Sequence, residues 1–269
     1  AMDNALGAIG VGACHPGMFS ESIGSTLAVC VPTDHIVYDP QRQMPIHYYP
    51  IKDTYMMHTF TSGGICLRWF RDNFCTQEIA EANASSIDSY DLLTRLAVQT
   101  PPGADGLTFL PHLNGSLAPD VNPHATGTFI GITLAHGKGH FIRAVMESIG
   151  YLVRRNIEAL SAMGIEIEEI RAFGGGSKSA AWNQIKADIL QKPVYITNSQ
   201  EAACLGAAIL AGHAIGIFKD IEDACDNMIK TVACYKPNPE YKPVYDKGYA
   251  IYKKLQSDCT ELFDLISER

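Results

Sequence analysis

The chain has 269 residues, 46% hydrophobic and 19% charged, enough apolar material for one large core or two small ones and too much for a disordered chain. Its 21 basic and 29 acidic residues leave a net charge of −8, and no Lys/Arg run exceeds Arg154-Arg155. That balance excludes the electrostatic footprint of a nucleic-acid binder and gives no attraction to anionic lipid.

In chain order, Asp3 heads a short Gly/Ala-rich helical segment, where a lone acid reads most simply as an N-cap. Four strand-like runs follow, Phe19 to Ile23, Thr26 to Val31, Ile46 to Tyr49 and Tyr55 to Phe60, separated by Pro and Asp and read as an antiparallel meander. Helical patterns cover Gly64 to Phe74 and Ile87 to Val98, and Pro101-Pro102-Gly103 breaks the chain before a strand at Leu107 to Leu110. From His140 to Met163 apolar residues recur every three or four positions, one face of a long helix that Gly164 stops. A strand at Ile170 to Phe173, a helix from Ser179 to Gln191 and a strand at Val194 to Ile196 come next. Asn198 and Glu201 form a capping-box-like start to a helix over Glu201 to Ala211, and a last helix spans Val244 to Phe263. Strands followed by alternating helices and strands predict a mixed α/β sheet covered by helices. No linker, low-complexity tract or fixed-period repeat divides the sequence, so one domain is the economical reading.

Eight cysteines, at 14, 30, 66, 75, 204, 225, 234 and 259, never form C-x-x-C. Several fall inside apolar runs where a thiol packs as a small hydrophobe, the usage of a reduced, cytoplasmic chain. Ala202 to Phe218 is the closest approach to a membrane span, but its small residues and His213 read as a buried helix and turn. The N-terminus lacks a charged-then-apolar secretory pattern.

Gly174-Gly175-Gly176, with Ser177, Lys178 and Ser179 behind it, joins a predicted strand to a predicted helix. It reads equally as a tight turn and as a place where bare amides meet a phosphate or a nucleotide lies close. The spacing fits neither G-x-G-x-x-G nor a Walker loop, which disfavours a Rossmann or P-loop enzyme. Gly24-Ser25-Thr26 reads as a hairpin turn that could also offer hydroxyls and amides to phosphate. His136 and His140 are four apart, yet Gly137 and Gly139 argue against a helical metal pair, so no metal site is assigned. Trp69 and Trp182 read as core anchors, Cys66 and Cys75 as packing residues, and Glu147 as a buried hydrogen-bonding acid.

Gly127-Thr-Phe129-Ile-Gly131-Ile132, seven residues, then His140-Phe141-Ile-Arg-Ala144-Val145-Met146-Glu147 resembles the second signature of the FGGY carbohydrate kinases at every defined position. Phe109-Leu-Pro111-His-Leu-Asn-Gly115 resembles that family's LPYLxGE segment, with Ser116 in place of the acid, and the blocks Gly174 to Leu190 and Glu201 to Ala208 resemble its adenosine motif and following helix. The resemblance runs from Asp3 to about Gly216 and is to the family's C-terminal domain. It implies a ribonuclease-H-like, actin-like ATPase domain of β-β-β-α-β-α-β-α order spanning residues 1–269, with the N-terminal sugar-binding domain outside this chain. That missing half would carry the Asp-x-Gly-Thr hairpin and hold most of the Mg²⁺, which this chain lacks the motif to do.

By the same resemblance Asp3 is the general base for the attacking sugar hydroxyl and Asn4 a hydrogen-bond partner of the sugar. Gly24, Ser25 and Thr26 match a phosphate turn with the hydroxyl residues interchanged, Gly64 lies over the ribose and phosphates, and Gly174, Gly175, Gly176 and Ser179 border the adenosine. The implied activity is ATP- and Mg²⁺-dependent phosphorylation of a ketose or polyol, with this chain alone inactive. The segment Asp3-Asn4-Ala-Leu-Gly-Ala-Ile-Gly resembles the xylulokinase-like branch more than the glycerol kinases, which points to xylulose. The implied partners are the sugar and ATP, with homodimerisation left open. The rival expectations are a non-catalytic nucleotide- or sugar-binding regulator of actin-like fold and an oligomerisation domain whose glycine turns bind nothing.

Overall fold

The computed structural model describes residues 2–268. The chain opens with helix α1 (Asp3–Gly10), then strands β1 (Phe19–Ile23), β2 (Thr26–Thr33), β3 (Ile46–Tyr48) and β4 (Tyr55–Ser62). Helices α2 (Ile65–Phe74), α3 (Thr76–Ser85) and α4 (Ser89–Val98) lead to a small separate ribbon of β5 (Thr108–Leu110) and β6 (Thr128–Ile130). The long α5 (Lys138–Ala162) is followed by β7 (Ile170–Phe173), α6 (Ala180–Leu190), β8 (Val194–Thr197), α7 (Ala202–Ala214), α8 (Ile221–Met228) and β9 (Thr231–Tyr235). Helices α9 (Lys242–Asp258) and α10 (Thr260–Ser267) close the chain.

Seven strands form one sheet in the order β3-β4-β2-β1-β7-β8-β9. β1 runs parallel to β7 and β7 to β8, and every other pairing in the sheet is antiparallel. The strand-rich start is therefore mixed with the β-α-β-α second half as the sequence predicts, but it is not a simple meander. β2 and β4 are both eight residues long and pair from Thr26↔Ser62 to Thr33↔Tyr55, so the three-residue β3 is left to cap the outer edge against β4. Eight full ladder positions outweigh the shorter connection that a sequential order would have used.

Alternation along the strands divides the core in two. Leu27, Val29, Val31 and Met57 face α5, α6 and α9 in the larger cluster. Cys30 and Met56 face the other way, where Ala5, Ala8 and Ile9 of α1, Ile209 of α7 and Ile221 of α8 pack on them. α5 begins after Gly137 and ends before Gly164 at φ +83°. Inside the larger core, Arg143 donates to Glu147 Oε1 (2.8 Å) and to the Tyr245 hydroxyl (2.9 Å), and the Gly103 amide also donates to Glu147 (2.9 Å), the hydrogen-bonding role expected of that acid. A second buried ion pair joins Glu21 of β1 to Lys186 of α6, both fully enclosed.

Where the sequence and the structure differ, the cause is local. Asp3 is not an N-cap: Met2 occupies that position, and among the described residues the Asp3 carboxylate accepts only from the neighbouring Asn4 amide, at 2.8 Å. Asn198 does not cap α7 either; it accepts from Lys230 N (2.9 Å) and donates to Met228 O (3.2 Å), fastening the start of β9. The helix read over Val244 to Phe263 is broken at Cys259. Ala202 to Phe218 is a helix to Ala214 followed by a turn, but only Ala202, Gly206, Ile209 and Gly212 of the helix are buried, because its small residues serve one close crossing. A Cβ on Gly206 would sit 2.8 Å from the Leu6 carbonyl carbon, and one on Gly10 would sit 2.6 Å from that of Ala202. Thus α1 and α7 touch backbone to backbone. Cys204 and Cys234 are exposed rather than packed, and the other six cysteines are buried. Among the described residues no helix is long and apolar enough to cross a membrane.

Candidate active site

The sheet's parallel strand β7 ends at Phe173, and Gly174 (φ +81°) turns the chain into a single helical turn, Gly175–Lys178. The turn is closed by the Ser177 hydroxyl donating to Gly174 O (2.8 Å) and by Asn183 Nδ2 donating to Ser177 O (2.7 Å). Ser179 then caps α6, accepting from Trp182 N at 3.3 Å. Gly176 packs so tightly on β1 that a Cβ there would fall 2.7 Å from Ile23 Cβ. Beside it, the β1–β2 turn carries Gly24 and Ser25, whose carbonyls accept from Gly64 N (2.9 Å), Gly63 N (3.1 Å) and Ile65 N (3.0 Å). A side chain at Gly64 would run into the Gly24 carbonyl oxygen. Glycine is thus favoured at both rims, at Gly64 so that backbone can approach backbone and at Gly176 so that the turn can rest on the Ile23 side chain.

These rims enclose a cleft of about 390 Å³, lined by Gly24, Ser25, Gly64, Gly175, Gly176 and Ser179, six of the positions singled out from the sequence. Trp182 forms part of its wall, held by Nε1 donating to Met146 O at 3.0 Å. Lys178 of the glycine turn adds a charge, and the rest of the polar lining was not singled out from the sequence: Arg68 from α2, Asp88 just ahead of α4, and Tyr90, Asp91 and Thr94 within it. Asp88 is occupied as an N-cap, accepting from Tyr90 N at 2.9 Å, which leaves Asp91 as the freer carboxylate. Two cations, carboxylates and close-packed glycine backbone lining one cleft suit a ligand carrying phosphates and a diol.

Thr26 lines a second cavity of about 570 Å³ that shares Ser25, Ile65 and Arg68 with the first and extends over Phe60, Ser62, Trp69 and Asp72. Trp69 is therefore half-buried at a cavity wall as well as packed on the core. Gly174 lies behind the first cleft rather than in its lining, and Asp3 and Asn4 line neither cavity. They sit farther along the same sheet face. The cross-strand pairs Thr26–Ser62, Ala28–Phe60 and Cys30–His58 share that face, and Asn4 Nδ2 lies 3.0 Å from His58 Nε2. Four residues of β2, or about 13 Å at about 3.3 Å per residue, separate the β1–β2 turn from the strand position where the head of α1 rests. The half-exposed Phe60 stands between them.

His136 behaves as a turn residue and His140 as a structural residue in the first turn of α5: each accepts a backbone N–H at its Nδ1, from Thr133 at 2.9 Å and from Gly137 at 3.1 Å, and His140 Nε2 meets Asp105 at 3.1 Å. Gly139 does lie inside α5, unlike the sequence reading. Among the described residues no group of three His, Cys, Asp or Glu side chains could hold a metal ion.

A seven-stranded sheet with β1, β2 and β4 antiparallel, β7 and β8 parallel to β1, and ligand-sized clefts at glycine turns beside β1 and β7 defines an α/β domain of the actin-like ATPase class. The chain belongs to the FGGY family of carbohydrate kinases, matching the model of its C-terminal domain over residues 23–215. It is 35% identical to a gluconokinase of Bacillus licheniformis over 97% of this chain and 52% of that protein. It is 32% identical to a xylulose kinase of Staphylococcus epidermidis over 97% and 51%. The crystal structure of a xylulose kinase from Rhodospirillum rubrum superposes with a TM-score of 0.86 at 28% identity, over 98% of this chain and 51% of that one. The chain thus spans about half the length of these relatives.

Proposed function

We propose that this chain is the C-terminal, nucleotide-binding half of a kinase that moves the terminal phosphoryl group of ATP onto a hydroxyl of a linear sugar. The observation that carries the reading is the cleft in which Gly24, Ser25, Gly64, Gly175, Gly176 and Ser179 converge. The glycine shelf offers a flat backbone surface to the adenine, Asp91 an acceptor to the ribose hydroxyls, and Arg68 and Lys178 charge to the phosphates. Ser25 and Thr26 lie where the phosphate chain would pass from the first cavity into the second. Asp3, exposed at the head of α1 on the face beyond Phe60, is the acceptor for the proton of the attacking hydroxyl, and Asn4 a hydrogen-bond partner of the sugar.

Mg²⁺ fits as an ion carried by the nucleotide's phosphates, with protein ligands supplied mainly by the sugar-binding half, since such ions keep few protein contacts. When bound it neutralises phosphate charge. The gluconokinases and xylulose kinases are comparable relatives, so gluconate joins xylulose as the first acceptors to test. The chain alone, with one wall of the reaction cleft, binds nucleotide without turnover.

The test is thermal unfolding of the chain with ATP. At a ligand concentration 10 times Kd, binding adds about 1.4 kcal/mol, a rise of about 3–6 °C for a domain of this size. No shift at 10 mM ATP would refute a nucleotide site. A coupled phosphorylation screen of the full-length enzyme against pentuloses, hexuloses, polyols and aldonates then identifies the sugar.

A further inference from the structure

The head of α1 meets β4 through one contact that the transfer chemistry above does not use. Asn4 Nδ2 lies 3.0 Å from His58 Nε2, and an amide N–H can only donate, so that nitrogen of His58 must accept and the ring proton must sit on Nδ1. His58 is 5% exposed, stacked on Phe60 (5.9 Å between ring centroids) and edge-on to His47 (5.8 Å), so its ring is locked in place. Asn4 Oδ1 has no partner among the described residues and is not among the buried unpaired atoms, which leaves it open to solvent next to the Asp3 carboxylate.

We propose that His58 is a positioning residue: it holds the Asn4 amide with its carbonyl oxygen turned outward beside Asp3, so that the pair presents two acceptors matched to adjacent hydroxyls of a polyhydroxylated chain. This rests on the reading of Asp3 and Asn4 as the sugar-facing pair. A carboxylate or phosphate at that point of the ligand would meet acceptors only and be rejected, so the selected group is a diol. Burial and His47 hold the His58 imidazole below the ordinary histidine range, with Asp3 opposing them. The groups facing it are Asp3 from α1, Cys30 across on β2 and His47 on β3. Around neutral pH His58 is therefore the neutral acceptor. Protonation turns Nε2 into a donor, which drives the Asn4 amide to flip, exposes its NH2 group and destroys the diol match.

The test has one arm on this chain and one on the full-length kinase. Long-range ¹H–¹⁵N spectra of the chain should show His58 with its proton on Nδ1 at pH 7, and the Asn4 side-chain amide should shift with the same midpoint as His58, below pH 6.5. A proton on Nε2, or an Asn4 amide indifferent to that titration, overturns the proposal. In the kinase, His58→Phe should raise the sugar KM about tenfold, the worth of one oriented hydrogen bond, with kcat within about threefold and the acidic limb of kcat/KM gone. His58→Gln, whose amide oxygen can take the same place, should restore most of the KM. A loss confined to kcat, or no rescue by glutamine, also overturns it, and if the phenylalanine variant does not fold, the glutamine variant and the spectra decide. Asp3→Asn separates the two ideas: if it retains turnover the sugar-facing assignment fails, whereas the spectra report on His58 and Asn4 regardless.

Discussion

The crossing of α1 and α7 gives a direct test of how the site is held, through Gly206→Ala. In an exposed helix this change would stabilise by about 1 kcal/mol through propensity. Here the new methyl would stand 2.8 Å from the Leu6 carbonyl carbon and closer still to its oxygen, whereas unstrained carbon contacts lie at about 3.5–4.0 Å. The helices must separate by about an ångström, and both partners are backbone, so no side chain can swing aside. Overpacking of this kind costs about 1–3 kcal/mol, and the gap opened in the layer of Ala5, Ile9 and Ile209 removes packing besides. The steric term therefore wins over propensity, and a net loss of about 1–2 kcal/mol is expected in urea unfolding followed by circular dichroism. The same displacement moves Asp3 and Asn4 at the head of α1, and a shift of that size can lower turnover about 100-fold, while ATP binding at the glycine cleft, built on β1, α2 and α6, should be nearly unchanged. Stability equal to or above the parent chain, with full turnover in the kinase, would refute the claim that this crossing sets the position of Asp3.

Other outcomes follow from the same structure. Lys186→Met should destabilise by about 3–5 kcal/mol, because it leaves the Glu21 carboxylate enclosed without a counter-charge, whereas Glu21→Leu combined with Lys186→Met should restore or exceed parent stability; denaturant midpoints decide. His112 is fully buried and burial lowers its pKa to about 4. The folded state therefore resists a proton that the unfolded chain takes up at about pH 6.5, so stability is complete above that pH and falls as the pH drops towards 4, by about 2–3 kcal/mol at pH 4.5. His112→Phe should flatten that part of the urea-midpoint profile. In the full-length kinase Asp3→Asn should remove nearly all turnover while leaving ATP affinity within about twofold, measured by single-turnover kinetics and calorimetry.

The sequence made most of the scaffold legible because its elements carry strong local signals. Phe19–Ile23 and Ile170–Phe173 are found with their predicted bounds, and α5 within two residues, since β-rich runs bounded by Gly or Pro and a 25-residue apolar stripe leave little choice. The misses lack such a pattern. α3 buries only Ala82, and β9 lies at the sheet's edge with three of its five residues exposed, so neither shows a periodicity set by the core. The strand order depended on the lengths of β2 and β4, a comparison between segments that no single window contains. For the site, glycines were readable because they stand at turns between elements. Arg68, Asp91 and His58 were not, because a helix or strand residue becomes part of a cleft only through the elements that pack beside it. The Asn4–His58 contact spans 54 residues of chain and has no local trace.

The enclosed link between Glu21 and Lys186 ties the strand that delivers one glycine turn to the helix that follows the other. Glu21 stands three positions before Gly24, and Lys186 lies two turns into the helix that Ser179 begins. The two lips of the glycine-lined cleft are thereby riveted to a common plate, and neither can swing without tearing a charge pair out of its enclosure. Any gating of this cleft must accordingly come from the plate moving whole against an opposing body, or from the outer helix that bears Asp91, and not from the glycine loops parting from each other.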